Sequence, residues 1–179
     1  MTRSTMLTTS EALTLFKSSK YHSQIAPYLY GAGSDACVFK TYMGALKITS
    51  CPLTHTWLKM PKSTFTPNRF EIEQFVKNDI LYFAWEIERL EKLSAAQSQY
   101  WERLKFEFNS LNCKKALNET QKLDWLQTHD TIRSKEWLAL QSLLANTPTA
   151  KIDVFTAGNV LAKKDLIVLS DPVRLLKSI

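Results

Sequence analysis

Glycine and proline are scarce in this chain, with four of the first and six of the second among 179 residues. Residues 68–147 contain neither, over eighty consecutive positions. Average usage would place roughly ten of the two in such a stretch. Their absence removes the strongest signals for a sharp bend. Cysteine is also rare: Cys37, Cys51 and Cys113 are odd in number and far apart. That excludes a disulfide framework and points to a reducing cytoplasm. Long apolar runs are missing as well. None approaches the roughly 18 residues a membrane helix needs. The first ten residues lack a continuous apolar segment, so no secretory signal is expected.

What is present begins with charge. The net charge is +6, and it is unevenly spread. Residues 1–64 carry seven Lys/Arg against Glu11 and Asp35. Residues 65–145 are nearly balanced, with eleven basic and twelve acidic groups, and residues 146–179 carry five and three. A basic end segment suggests an anionic partner.

These divisions give three expected segments in one domain. Residues 1–64 read as a basic segment with a helix from Ser10 and a second short helix over 23–30. A β-hairpin of 36–42 and 45–49 follows, turning at Met43-Gly44. Residues 65–145 read as a helical block opened by Thr66 as N-cap and Pro67 as first helical residue. Phe83, Ile87, Leu90, Ser94, Gln97, Trp101, Leu104, Phe108 and Leu111 are spaced four and three apart, as a heptad seam is. An unbroken helix over 67–111 would be about 67 Å long, against a radius of gyration near 16 Å for a compact chain of this size. It must project and find a partner, or break where the seam turns polar at Ser94–Ser98. Two shorter helices follow, one capped by Asn118 with Gln121 and one over 132–145. Residues 146–179 read as a turn at Gly158-Asn159, a buried strand Leu166–Leu169 and a last short helix over 173–177. The fold class expected is mainly α with a small β component. A long helix or helical hairpin forms the spine, beside the N-terminal β-hairpin and one short C-terminal strand.

Motifs carrying chemistry are few. Gly31-Ala-Gly33-Ser-Asp-Ala36 fits the bare dinucleotide pattern, but that site needs a strand before it and a helix after it. The flanks read the other way, so an ordinary loop is expected. Cys51 and His55 are the only close metal-ligand pair, and zinc sites bring ligands in twos from both halves. No metal or cofactor is expected, and no catalytic residue is assigned. Glu71/Glu73 and Glu86/Glu88/Glu91 read as solvated helix faces. Residues 119–145 have the outline of a helix-turn-helix, with Thr131, Arg133, Ser134 and Lys135 at the second helix, although a plain helical hairpin suits their charge balance better.

Basic residues interleaved with aromatics can track a phosphate backbone. The candidate nucleic-acid contacts are Lys17, Lys20, Lys40, Lys47, Lys59, Lys62, Arg69, Arg133 and Lys135. The candidate self-association residues are Phe83, Ile87, Leu90, Trp101, Leu104 and Phe108. The function expected is a non-enzymatic, cytoplasmic, nucleic-acid-binding regulatory or accessory protein. It would be a DNA-binding homodimer assembled through the helical block, with no membrane contact. The alternative is an adaptor or inhibitor that docks a protein partner through exposed aromatics.

Overall fold

A computed structural model describes residues 7–23, 26–156 and 158–175. They fall into two compact units. Among the described residues, the first holds those up to Leu58 together with Asn68–Arg89; the second holds Lys59–Pro67 and those from Leu90 to Leu175.

The first unit is built on an antiparallel sheet. Its strands are β1 (Leu29–Ala32), β2 (Ala36–Lys40), β3 (Gly44–Thr49), β4 (Arg69–Lys77) and β5 (Ile80–Glu88). They lie in the order β1-β2-β3-β5-β4. Helix α1 (Thr9–Ser18) is capped by Thr8, which forms a capping box with Glu11. It buries Ala12, Leu15 and Phe16 against Cys37, Phe39, Leu46, Ile48, Tyr82 and Ala84 on one sheet face. Each large apolar side chain buried there contributes roughly 1.5–3 kcal/mol. Helix α2 (Pro52–Lys59) serves the other face. His55 stacks on Phe83 at 3.6 Å and accepts a hydrogen bond from the Trp85 indole at 3.3 Å. Gly44 lets β3 close on β5: a Cβ there would lie 2.1 Å from the Ile87 carbonyl oxygen.

The expected mainly-α fold is therefore wrong, and the reason is local. Half of the stretch read as one helix is a β-hairpin. Its turn is Asn78-Asp79, both at positive φ (51° and 60°). Asparagine and aspartate adopt that conformation through local hydrogen bonding, so the turn needs no glycine. Phe83 and Ile87 are four apart, a spacing that shares a face in a strand as well as in a helix. Residues 69–88 are rich in aromatic and β-branched side chains, which suits a pleated surface. Thr66 and Pro67 precede strand β4 rather than a helix.

The heptad seam thus divides. Phe83 and Ile87 are buried in β5, and Leu90 is half-buried in a loop. Trp101, Leu104 and Phe108 are buried on α3 (Ala95–Lys115) in the second unit. The polar members Ser94 and Gln97 are a capping box that starts α3. Ala116, at φ 47°, ends it in the left-handed conformation.

Helix α4 (Glu119–His129) carries the Asn118–Gln121 capping box and packs beside α5 (Ser134–Ala145). Trp137, Leu123, Leu126 and Leu140 are fully buried. The segment 59–67 is tied to this unit by the Ser63 hydroxyl on Glu136 and by Leu169 N–H on the Phe65 carbonyl at 2.9 Å. Four short strands complete it: β6 (Ala150–Ile152), β7 (Val160–Lys163), β8 (Leu166–Leu169) and β9 (Val173–Leu175). β7 pairs with β8, and β6 with β9, all antiparallel. The last short helix expected over 173–177 is strand β9 through Leu175; residues 176 and 177 lie outside the described residues. The helix expected over 23–30 is replaced by strand β1 from Leu29, with residues 24 and 25 outside the described set.

Candidate functional site: two acids and an amide on the C-terminal strands

The β6–β9 ladder runs one step past its last named pair. Asp153 N–H donates to the Pro172 carbonyl at 2.8 Å, which brings Asp153 beside Asp171-Pro172. Between them the chain leaves β6, turns, and returns as the β7–β8 hairpin. Val154 is fully buried, and Phe155 packs on Trp101 and Phe108 at 5.5 and 5.0 Å. These contacts hold the loop against α3. Gly158 adopts φ 88°, a conformation that side chains rarely tolerate, and sets up Asn159.

Asn159 is the hub. Its carbonyl accepts from Ser170 N–H at 2.9 Å and Asp171 N–H at 3.3 Å. Its amide nitrogen donates to the Asp153 carbonyl at 2.6 Å and to Asp153 Oδ2 at 3.2 Å. The amide nitrogen is spent on Asp153, so Oδ1 is the atom left to accept. Asp153 Oδ1 receives the Thr156 hydroxyl at 2.6 Å and faces Arg174 Nε at 3.9 Å. The Asp153 side chain is 19% exposed. Asn159 thus ties the Asp153 carboxylate, through its side-chain amide, to the backbone of Asp171, and all three residues are half-buried.

Oxygen donors of this kind suit a hard cation, and magnesium takes one or two carboxylates and fills its shell with water and phosphate oxygens. No group of three or more His, Cys, Asp or Glu that could hold a metal occurs among the described residues. An all-protein metal cage is therefore not the chemistry on offer here; a shared site with a phosphate ligand fits the donor set better. A hydrogen-bonded carboxylate can also accept a proton from a substrate hydroxyl.

The first unit has its own candidate. β1 and β2 are joined through Gly31-Ala-Gly33-Ser-Asp-Ala36, so the loop lies between two antiparallel strands. That context rules out the dinucleotide site, which opens a helix. A Cβ at Gly31 would meet nothing within 4 Å, so the backbone there is open to close approach. Val38 on β2 stands opposite Lys47 on β3, and Lys47 opposite Trp85 on β5. Lys47 is only 7% exposed. Helix α2, which serves the same face, contains no carboxylate.

The nine cations expected to contact nucleic acid have different surroundings. Lys17, Lys20, Lys40, Lys59, Lys62 and Lys135 are exposed. Lys47, Arg69 and Arg133 are buried. Arg69 Nε donates to the Leu58 carbonyl at 2.8 Å, a cation at the C-terminus of α2, and burial lowers its pKa. Arg133 donates to Asp130 at 2.6 Å and to the Ile167 carbonyl at 3.0 Å, with its guanidinium over Phe65 and Trp101. The helical pair α4–α5 thus turns Arg133 inward. Burial pushes the Cys37 thiol up to about 12, so it is no nucleophile at neutral pH.

Sequence reasoning missed Asp153, Asn159 and Asp171. It took Gly158-Asn159 for a turn. The available signal was an Asp and an Asn before a short apolar hairpin and a second Asp directly after it. No family model, curated protein or solved structure matches the chain.

Proposed function

We propose that the chain is a phosphotransferase that moves a phosphoryl group from a nucleoside triphosphate to a hydroxyl acceptor. The observation that carries this reading is Asn159 bonded at once to Asp153 and to the backbone of Ser170 and Asp171. Phosphoryl transfer asks the protein mainly to position groups and neutralise charge. Magnesium, when bound, would neutralise the charge on the phosphate oxygens; Asp171 and Asn159 Oδ1 are the residues to hold it. Asp153 is the group to orient the acceptor hydroxyl and take its proton. Thr156 and Asn159 fix its carboxylate for that task.

The order of parts along the chain supports the same reading. Protein kinases use a glycine loop followed two residues on by Val, a Lys on the next strand, an Asp-to-Asn catalytic loop, and a later Asp for the metal. Here the sequence runs Gly31-x-Gly33-x-x-Ala36-x-Val38, then Ala45-x-Lys47, then Asp153 and Asn159, then Asp171. The likeness is one of parts, and the chain departs from the pattern in places. Ala36 replaces the third glycine. Five residues rather than four separate Asp153 from Asn159, and Pro172 follows Asp171 where phenylalanine is usual. Helix α2 lacks the glutamate that would pair with the lysine.

The test is transfer of the γ-phosphate of labelled ATP, with magnesium, to protein and peptide acceptors or to the chain itself. Asp153→Asn and Asp171→Asn are each expected to lower transfer by about 10²–10⁴-fold. Absence of both transfer and magnesium-dependent ATP binding would sink the proposal.

A second reading is nucleic-acid binding, resting on the six exposed lysines of the expected set. Its test is a titration of duplex and single-stranded DNA at low salt, where phosphate contacts are strongest. The expected dimer loses its basis, because the seam that was to build it is not one helix. Among the described residues no helix is long and apolar enough to cross a membrane.

A further inference from the structure

On the β6–β9 ladder, Lys151 stands directly opposite Arg174. Opposed residues in an antiparallel pair share a face, and like charges there are destabilising. Local pairing offsets little of this. Lys151 forms no ion pair among the described residues, and Arg174 has only the 3.9 Å approach to Asp153. The Arg174 side chain is 62% exposed. Asp153 lies two residues beyond Lys151, on the same side of an extended chain. A pair of cations that costs stability therefore flanks the carboxylate assigned to the acceptor hydroxyl.

We propose that Lys151 and Arg174 form an anion clamp for the acceptor: they recognise a carboxylate side chain adjacent to the hydroxyl of a peptide substrate. This rests on the phosphotransfer reading above. Arginine's fork matches a carboxylate with two parallel hydrogen bonds, and the lysine adds a point charge beside it. The clamp is a single spot. Glu119, which accepts Ile152 N–H at 2.8 Å and pairs with Lys122 at 2.6 Å, places a carboxylate beside it. Nucleic acid would need a continuous track of cations along its backbone. The compact, acid-bordered spot favours one carboxylate on a peptide.

The experiment uses the full chain and three labelled peptides with one serine each, followed by aspartates, alanines or lysines. Fluorescence anisotropy reads binding without nucleotide, and steady-state transfer reads KM and kcat with ATP and magnesium. The acidic peptide is expected to bind about tenfold more tightly than the neutral one, the equivalent of roughly one charge-assisted contact. Lys151→Ala with Arg174→Ala should abolish that preference and raise KM for the acidic peptide about tenfold. Lys151→Arg with Arg174→Lys should keep most of it, which separates charge from folding. Equal binding of acidic and neutral peptides overturns the clamp, as does a preference that survives the double alanine variant. An oligonucleotide that displaces the acidic peptide at equal concentration overturns it too. Preference without transfer would sink the phosphotransfer reading and leave the clamp; transfer without preference would do the reverse.

Discussion

The β4–β5 hairpin and the β6–β9 strands solve the same problem in opposite ways. β4 and β5 are nine residues each, and their long ladder is set by buried aromatics such as Tyr82, Phe83 and Trp85. A one-residue slip would exchange the residues that face α1 with those that face α2. Register there is an apolar property. β6 and β9 are three residues each. Such short pairs hold little register by themselves. Asp153, Asn159, Ser170 and Asp171 supply it through polar bonds that meet at one asparagine. Where apolar packing fixes a strand, polar groups are free of that duty. Where polar bonds fix it, the fixing groups and the functional groups are the same residues.

The largest expected break of this comparison is Gly44→Ala. Its Cβ would meet the Ile87 carbonyl oxygen at 2.1 Å and the backbone nitrogen of Arg89 at 2.8 Å. Backbone cannot step aside as a flexible side chain does. Either β3 parts from β5 or the sheet does not form, at a cost of more than about 4 kcal/mol. Denaturant titration followed by tryptophan fluorescence should show loss of the first unit's transition. A wild-type midpoint would mean that β3 does not approach β5 as described.

Asn159→Ala comes next and acts on the other side of the comparison. It removes the donor to Asp153 and leaves the Asp153 carbonyl short of a partner. The expected cost is about 1–3 kcal/mol, felt in the second unit. Transfer activity should fall much further than stability does. Asn159→Asp keeps the shape but places a third carboxylate among two, and should lose the donor without rescuing the site. Equal stability of Asn159→Ala and wild type would show that the short strands have another source of register.

Much of the second unit was legible in the sequence, and so were helix α1 and the β2–β3 hairpin of the first; the rest of the first unit was not. The Asn118–Gln121 box, the apolar faces of α4 and α5, and strand Leu166–Leu169 follow from local signals that tertiary structure did not override. The β4–β5 hairpin was hidden by two coincidences. Its turn uses Asn78-Asp79 in place of glycine, and its buried residues Phe83 and Ile87 fit the helical and strand periods alike. The candidate site was hidden for another reason. Asp153 and Asp171 lie far apart in sequence, and only the insertion of β7–β8 between β6 and β9 brings them together. No periodicity records that. Lys47 sat in plain view as a surface cation, because the sheet that buries it was not foreseen.

Ser94→Ala sharpens the boundary between the two kinds of signal. Ser94 Oγ accepts from Gln97 N–H at 3.3 Å, and the Gln97 side chain accepts from Ser94 N–H at 2.8 Å. Loss of such a cap costs about 1 kcal/mol. A helix running through Ser94 would instead gain from alanine, since alanine is the better helix former. The sign of the change in midpoint therefore decides between a capped start and a continuous seam.

The smallest effect is expected at the hairpin turn. Asp79 holds φ 60° and Asn78 φ 51°, in the left-handed region that costs an ordinary residue about 1 kcal/mol. Glycine pays no steric penalty there but gains freedom in the unfolded chain, and Asn-Gly is the favoured pair for this turn. Asp79→Gly should stabilise the first unit by a few tenths of a kcal/mol, with the β4–β5 register unchanged. Cross-strand amide contacts in an NMR spectrum would read that register directly. A shifted ladder would mean that the turn residues, rather than the packing of Tyr82, Phe83, Ala84 and Trp85, set the pairing. In that case the apolar hairpin and the polar C-terminal strands would share one principle, with a few local bonds deciding register in both.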